Sequence, residues 1–258
     1  MKTIVLTNQK GGVGKTTSSS EFAYLFSQKG YKVILISFDQ QGDLELQLNI
    51  GDKKSFSLLD CMQVKCRIDE AIIHLEHFDF LASDDDLSQA DKLFPDTVDA
   101  FLFNDVIEWL EENLKYDFAI VDTAPSRSIL HRMALMAADY VLIPVDSSPG
   151  SLKGISKIKE DIDLLKKRKM SDAVILGTYM TSTRKTNLNK GIETQLEQLS
   201  IANETIKFEN SIRQTVSVGE SKQFKLSLNE YDSHNNAALD YRKLTNEILK
   251  RIDEFHSK

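Results

Sequence analysis

Ile4-Val5-Leu6-Thr7-Asn8-Gln9-Lys10-Gly11-Gly12-Val13-Gly14-Lys15-Thr16-Thr17 runs from an apolar, β-branched stretch through three glycines to a lysine and two threonines. Glycine has no Cβ, so the backbone at 11, 12 and 14 can turn tightly and aim several N–H groups at one anion. A helix beginning at Lys15 adds roughly half a positive charge at its N-terminus. Strand, glycine loop and helix in that order predict a phosphate loop. In it Gly11, Gly12, Val13 and Gly14 cradle the phosphates, Lys15 bridges the β- and γ-phosphates, and the Thr16 hydroxyl, with Thr17 beside it, reaches Mg²⁺. An empty glycine-rich turn explains neither the lysine nor the threonines at this spacing.

Outward from the loop, short apolar runs rich in β-branched residues recur at 3–7, 33–37, 78–82, 118–121, 140–145 and 173–179. Segments with helical periodicity separate most of them, at 16–28, 98–114, 151–168, 188–199 and 237–255. The alternation predicts an α/β fold, an open and mostly parallel twisted sheet flanked by helices on both faces, in one domain spanning 1–258. Runs 118–121 and 141–143 are apolar on successive residues, as central strands covered on both faces must be. In the last helix Leu239, Leu244, Ile248 and Ile252 fall near helical spacing and read as core-facing. The acidic run Asp84-Asp85-Asp86 reads as a solvated turn.

Lys10 directly ahead of Gly11 is an additional feature, since the general phosphate-loop pattern wants a glycine where Gln9 stands. Lys10-Gly11-Gly12-Val13-Gly14-Lys15-Thr16-Thr17 resembles the deviant Walker A motif of the ParA/MinD superfamily. That resemblance implies ATP and Mg²⁺ as cofactors and a nucleotide-sandwich homodimer in which Lys10 reaches the partner's nucleotide. A second cation there would neutralise charge developing during phosphoryl transfer, as an arginine finger does.

Two acids complete the expected site. Ile34-Leu35-Ile36-Ser37-Phe38-Asp39-Gln40-Gln41-Gly42-Asp43 places Asp39 at the C-terminal edge of a strand, where ligands of such sheets bind, and makes it a candidate to orient the attacking water. The stretch is similar to the family's Asp-x-Asp-Pro-Gln-Gly-Asn signature, with Ser37, Gln40 and Asp43 departing from it. Tyr116-Asp117-Phe118-Ala119-Ile120-Val121-Asp122 ends an apolar strand in an acid, the setting of a metal-holding Walker B aspartate, so Asp122 joins Thr16 as the expected metal pair. The block through Pro125, and Ala138-Asp139-Tyr140-Val141-Leu142-Ile143-Pro144-Val145 after it, resemble successive strands of the same superfamily. Lys10, Lys15 and Asp39 are the candidate catalytic groups.

Charge is unevenly divided. Residues 1–150 carry 13 basic and 24 acidic side chains, a balance of −11, whereas 151–258 carry 19 and 15, a balance of +4. A nucleic-acid surface is therefore expected on the C-terminal half. There the resemblance loosens. The segment 181–188 is similar to a DNA-contacting loop, which points to Arg184 and Lys185, and 212–220 is similar to the segment lining the base, which points to Arg213 and Thr215. Two arginines of the family pattern are missing from Ile212-Arg213-Gln214-Thr215-Val216-Ser217, and Arg213, Lys222 and Lys225 are candidate replacement phosphate contacts, sequence-independent and salt-sensitive; scattered surface lysines are the alternative.

No stretch approaches the roughly 18 apolar residues of a membrane span, and the N-terminus runs straight into a strand, so a cytoplasmic protein is expected; the resemblance implies one associated with the nucleoid. Cys61 and Cys66 are expected to be reduced thiols rather than a disulfide, zinc or iron–sulfur site. The resemblance implies a partition ATPase whose ATP-bound dimer binds DNA nonspecifically and whose hydrolysis is stimulated by a centromere-binding ParB-type protein, with no membrane partner. Two other classes share the motifs: a MinD-type positioning ATPase, which would want an amphipathic anchor that Leu249-Lys250-Arg251-Ile252-Asp253-Glu254-Phe255-His256 does not resemble, and a metabolic enzyme of the same fold. A degenerate protein that binds nucleotide without hydrolysing it is a further reading, raised by Ser37.

Overall fold

Successive side chains of a strand point to opposite faces, and here both faces are apolar. Along the central strands Val5, Ile34, Ile36, Ala119 and Val121 enter one buried cluster while Ile4, Leu6, Leu35, Phe118 and Ile120 enter another. That pattern requires helices on both sides of the sheet. The computed structural model describes residues 1–256 and has this architecture.

The strands are β1 (Lys2–Leu6), β2 (Val33–Phe38), β3 (Ile72–His74), β4 (Asp79–Leu81), β5 (Phe118–Thr123), β6 (Tyr140–Val145) and β7 (Val174–Met180). Their order is β3-β4-β2-β5-β1-β6-β7, and every pairing is parallel except β3 with β4. The expected central strands β5 and β6 are both interior, with β5 in the middle. Register sets Asp122 opposite both Leu6 and Ser37, so the ends of β1, β2 and β5 meet at one edge of the sheet.

In chain order the helices begin with α1 (Lys15–Gln28), α2 (Asp43–Gln47), α3 (Leu58–Met62), α4 (Ile68–Ala71), α5 (Ala90–Leu93) and α6 (Leu102–Leu114). They continue with α7 (Ile129–Ala137), α8 (Pro149–Lys167), α9 (Asn187–Ala202), α10 (Ser217–Gln223), α11 (Leu228–Tyr231) and α12 (Asn236–His256). Three features depart from the sequence reading. The hairpin strand β3 is too short for a periodicity signal. Helix α7 carries apolar residues all round, with Ile129, Leu130, Met133, Ala134, Leu135 and Met136 buried, so its pattern lacks a polar face. The expected helix 98–114 is split, its first turn being a 3₁₀ segment, Thr97–Phe101.

Helix α12 packs on α1 and β7. Leu244, Ile248 and Ile252 are buried as expected, but Leu239 is 37% exposed, and Ala237, Ala238 and Tyr241 fill the stripe in its place. Among the described residues no helix is long and apolar enough to cross a membrane. Cys61 and Cys66 are free thiols with sulfurs 3.8 Å apart, and burial pushes both upward in pKa, which keeps them protonated. Asp84, at the head of the acidic run, accepts from the Asp86 amide at 2.9 Å and pairs with Lys54 at 3.6 Å.

Candidate nucleotide site

The loop 8–14 is held from three directions. Asn8 donates through Nδ2 to the Pro144 carbonyl at 2.8 Å and the Ser151 carbonyl at 3.1 Å, while its Oδ1 accepts from the Lys10 amide at 3.0 Å. This approach depends on Gly154, where a Cβ would stand 3.0 Å from Asn8 Oδ1. On the other side the Thr181 hydroxyl, at the end of β7, donates to the Val13 carbonyl at 2.9 Å. Gly12 and Gly14 have φ of 76° and 84°, values that side chains with a Cβ resist. Gly14 is the N-cap of α1, so the loop's amides and the helix N-terminus converge on the same space.

Lys15 is 5% exposed and its Nζ donates to the Lys10 carbonyl at 3.3 Å. Burial lowers its pKa, and the nearby Asp122 and Asp39 carboxylates work in the opposite direction. Asp122 is fully buried, and neither carboxylate oxygen makes a hydrogen bond of regular geometry, although the Thr16 and Ser19 hydroxyls lie beside it. Burial pushes it up to about 7, with Thr16, Lys15 and Ser19 beside it favouring the charged form. A buried carboxylate without a well-formed hydrogen bond is costly. Adjacent to a half-buried threonine hydroxyl at the mouth of a phosphate loop, this donor set fits a divalent cation, which Thr16 and Asp122 would hold. Asp39 is 7% exposed, and its Oδ1 accepts from the Gln41 amide at 3.0 Å, which aims the acid along the same sheet edge. The structure thus brings together Lys15, Thr16, Asp39 and Asp122. Ser37, where the family signature has an acid, is buried with its hydroxyl unpartnered.

Lys10 behaves differently. Its ammonium pairs with Asp146, in the turn after β6, with the two side chains 34% and 20% exposed. Asp146 was not anticipated from the sequence; the available signal was its position just beyond the C-terminal end of a parallel strand. The same holds for Asn8 and Thr181, whose side chains fix the loop through hydrogen bonds.

The C-terminal residues divide. An open groove lies beyond the end of β7, lined by Met180, Thr183, Arg184, Lys185, Arg213 and Gln214 among others. Arg184 and Lys185 are exposed there, and Arg184 donates to Gln214. Arg213 is held bidentate on Asp240, with Nε to Oδ2 at 2.8 Å and Nη2 to Oδ1 at 2.7 Å. The half-buried Thr215 hydroxyl accepts from the Ser217 amide at 3.2 Å and from Asn235 at 3.2 Å, a local role at the start of α10. Lys222 is half-buried; burial lowers its pKa, and the Asp43, Asp122 and Glu21 carboxylates work against that. Lys225 is exposed and donates to Asn49.

A family model described as an AAA domain, AAA_31, matches residues 1–175. The chain is 27% identical over 252 residues to the chromosome-partitioning ATPase Soj of Treponema pallidum, covering 97% of this chain and 98% of that one. It is 25% identical over 256 residues to the chromosome partitioning protein ParA of Caulobacter vibrioides, covering 97% and 95%. Among solved structures, a variant of Cyanothece McdA in complex with ATP superposes with a TM-score of 0.85 at 23% identity, covering 97% of this chain and 96% of that one.

Proposed function

The chain belongs to the AAA-domain family as a P-loop ATPase of the ParA/MinD superfamily, and from that premise we propose that it is a partition-type nucleotide switch. Mg-ATP binding drives its dimerisation, the dimer binds DNA nonspecifically, and hydrolysis, stimulated by a ParB-type partner, releases it. The observation that carries the reading is the pair of lysines. Lys15 is buried inside its own loop, while the half-buried Lys10 rests on a single, partly exposed acid. A partly solvated ion pair contributes little more than the roughly 0–1 kcal/mol of an exposed one, so Lys10 can leave Asp146 for a phosphate that replaces the lost charge.

In this reading the loop amides and Lys15 bind the triphosphate, Thr16 and Asp122 hold Mg²⁺, and Asp39 orients water. Bound Mg-ATP supplies an activated phosphoryl group whose charge the metal helps neutralise. Arg213 and Thr215 border the base. Arg184 and Lys185, with Lys225 further along the surface, are the DNA contacts, and Arg213 and Lys222 contribute only by leaving their present surroundings. The protein acts in the cytoplasm, associated with the nucleoid, as one domain spanning 1–258.

The MinD-type alternative needs a free amphipathic anchor. In α12 the stripe that would serve is occupied, with Leu244 and Ile248 fully buried and Ile252 1% exposed, which favours the DNA reading.

The test is binding of the purified protein to nonspecific duplex DNA with Mg-ATP, with Mg-ADP and without nucleotide, across a salt series. The expected outcome is ATP-dependent binding that weakens steeply with salt and is lost in Lys15→Ala. Lys10→Ala should bind ATP yet sediment as a monomer. ATP-dependent dimerisation with no DNA binding at low salt would overturn the partition reading.

A further inference from the structure

Between α7 and α8 lies a cleft that the nucleotide chemistry does not use. Arg127, His131, Arg132, Asp161, Leu165 and Arg168 are among its lining residues. His131 is 6% exposed. Its Nδ1 lies 3.3 Å from the Thr7 hydroxyl. Its Nε2 has no hydrogen-bond partner. Asp161 Oδ2 faces it at 3.7 Å, within ion-pair distance but beyond hydrogen-bond reach, and makes no hydrogen bond itself. Asp161 is engaged through its other oxygen by Arg127. Arg132 and Arg168 stand exposed at the rim and make no ion pair or side-chain hydrogen bond among the described residues. The rim therefore carries three guanidinium groups against one carboxylate.

We propose that this cleft is an oxyanion site, in which Arg132 and Arg168 grip a carboxylate or phosphate group, His131 Nε2–H donates to it, and Thr7 transmits its presence to the phosphate loop. Guanidinium groups match such anions by charge and by their fork of donors. The site requires the tautomer in which the Thr7 hydroxyl donates to Nδ1 and the imidazole proton resides on Nε2, on the Asp161 side of the ring. Thr7 is continuous with Asn8, whose Oδ1 holds the Lys10 amide, so a shift of the ring on binding reaches the loop through one hydroxyl and one residue of backbone. Such a site couples an anionic partner or metabolite to the loop reciprocally: whatever favours one loop conformation favours one state of the cleft.

The test is a titration of ¹⁵N-labelled protein followed by NMR, with the His131 ring nitrogens assigned through His131→Gln. Two probes are used separately: inorganic phosphate, and a capped Leu-Glu-Leu peptide. The expected result is a saturable shift of His131 Nε2 with at least one probe, with the Thr7 and Asn8 amides moving at the same midpoint. A tighter response to phosphate assigns the site to a free anion, and a tighter response to peptide assigns it to an acidic protein segment. The shift should persist in Lys15→Ala, which disables the phosphate loop. In the Arg132→Glu/Arg168→Glu double variant the apparent Kd should rise about tenfold or more. Both arginines are exposed, and an unchanged Thr7 amide in the probe-free variant verifies that its fold is intact. No saturable shift with either probe, a shift that survives in the double variant, or one that disappears in Lys15→Ala would overturn the site. A His131 shift with static Thr7 and Asn8 amides would overturn the coupling.

Discussion

Glu21 sits in α1, 1% exposed, and accepts from the Leu228 amide at 2.6 Å and from Asn229 Nδ2 at 3.1 Å. It ties the helix that follows the phosphate loop to the start of α11. Burial pushes its carboxyl from 4.5 up to about 7, with the two donors pulling the other way. Between those values the folded chain holds a proton that the unfolded chain has released. Stability from this group is therefore present below about pH 4.5 and is lost as pH rises through about 7. At about 1.36 kcal/mol per pH unit, the rise from 4.5 to about 7 sets a ceiling of about 3 kcal/mol. Glu21→Gln removes the titration and keeps the shape, at a pH-independent cost of about 1–3 kcal/mol for setting an amide donor against a donor. Urea unfolding of both proteins at pH 5 and pH 8 separates the two effects. The variant should gain about 1–3 kcal/mol relative to the wild type on going from pH 5 to pH 8. A relative stability that stays flat, or that moves the other way, would refute the burial argument.

Asp122→Asn should abolish the tightening of ATP binding by Mg²⁺ and lower turnover by about a hundredfold or more, while metal-free nucleotide binding persists in a calorimetric titration; unchanged Mg²⁺ dependence would remove Asp122 from the metal site. Gly154→Ala places a methyl 3.0 Å from Asn8 Oδ1, and should weaken ATP binding several-fold and lower the thermal midpoint by about 2–4 °C, the response to about 1 kcal/mol in a chain this size. Gly177→Ala puts a Cβ 2.3 Å from the Phe208 ring, and should cost about 1–3 kcal/mol in denaturant unfolding, with part of the loss recovered on adding Phe208→Leu; a variant as stable as the wild type would show that the 205–208 segment yields freely.

Much of the fold was legible because its signals are local. Six of the seven strands sit within about two residues of the apolar runs, since a doubly covered strand must be apolar at successive positions. The seventh, β3, has three residues and pairs antiparallel only because β4 returns beside it. Helix α7 has no polar stripe to announce it, because most of its circumference is buried, and with it the sequence reading lost His131. The site was legible where covalent order dictates geometry: glycines at 11, 12 and 14, then Lys15 and Thr16, form one loop whatever the remainder of the chain does.

What the sequence alone determined is thus the phosphate loop, the rhythm of strand and helix around it, and the two acids at strand ends, all set by neighbours within a few residues. Only the tertiary structure decided that Asp122 stands buried beside Thr16, that Lys10 rests on Asp146, and that Arg213 is occupied by Asp240 while Arg184 and Lys185 remain exposed. Each of those outcomes joins residues that are 27 to 136 positions apart or depends on how much water a side chain retains. Burial and pairing are properties of packed surfaces, and residue order within one segment does not encode which distant segment will cover it.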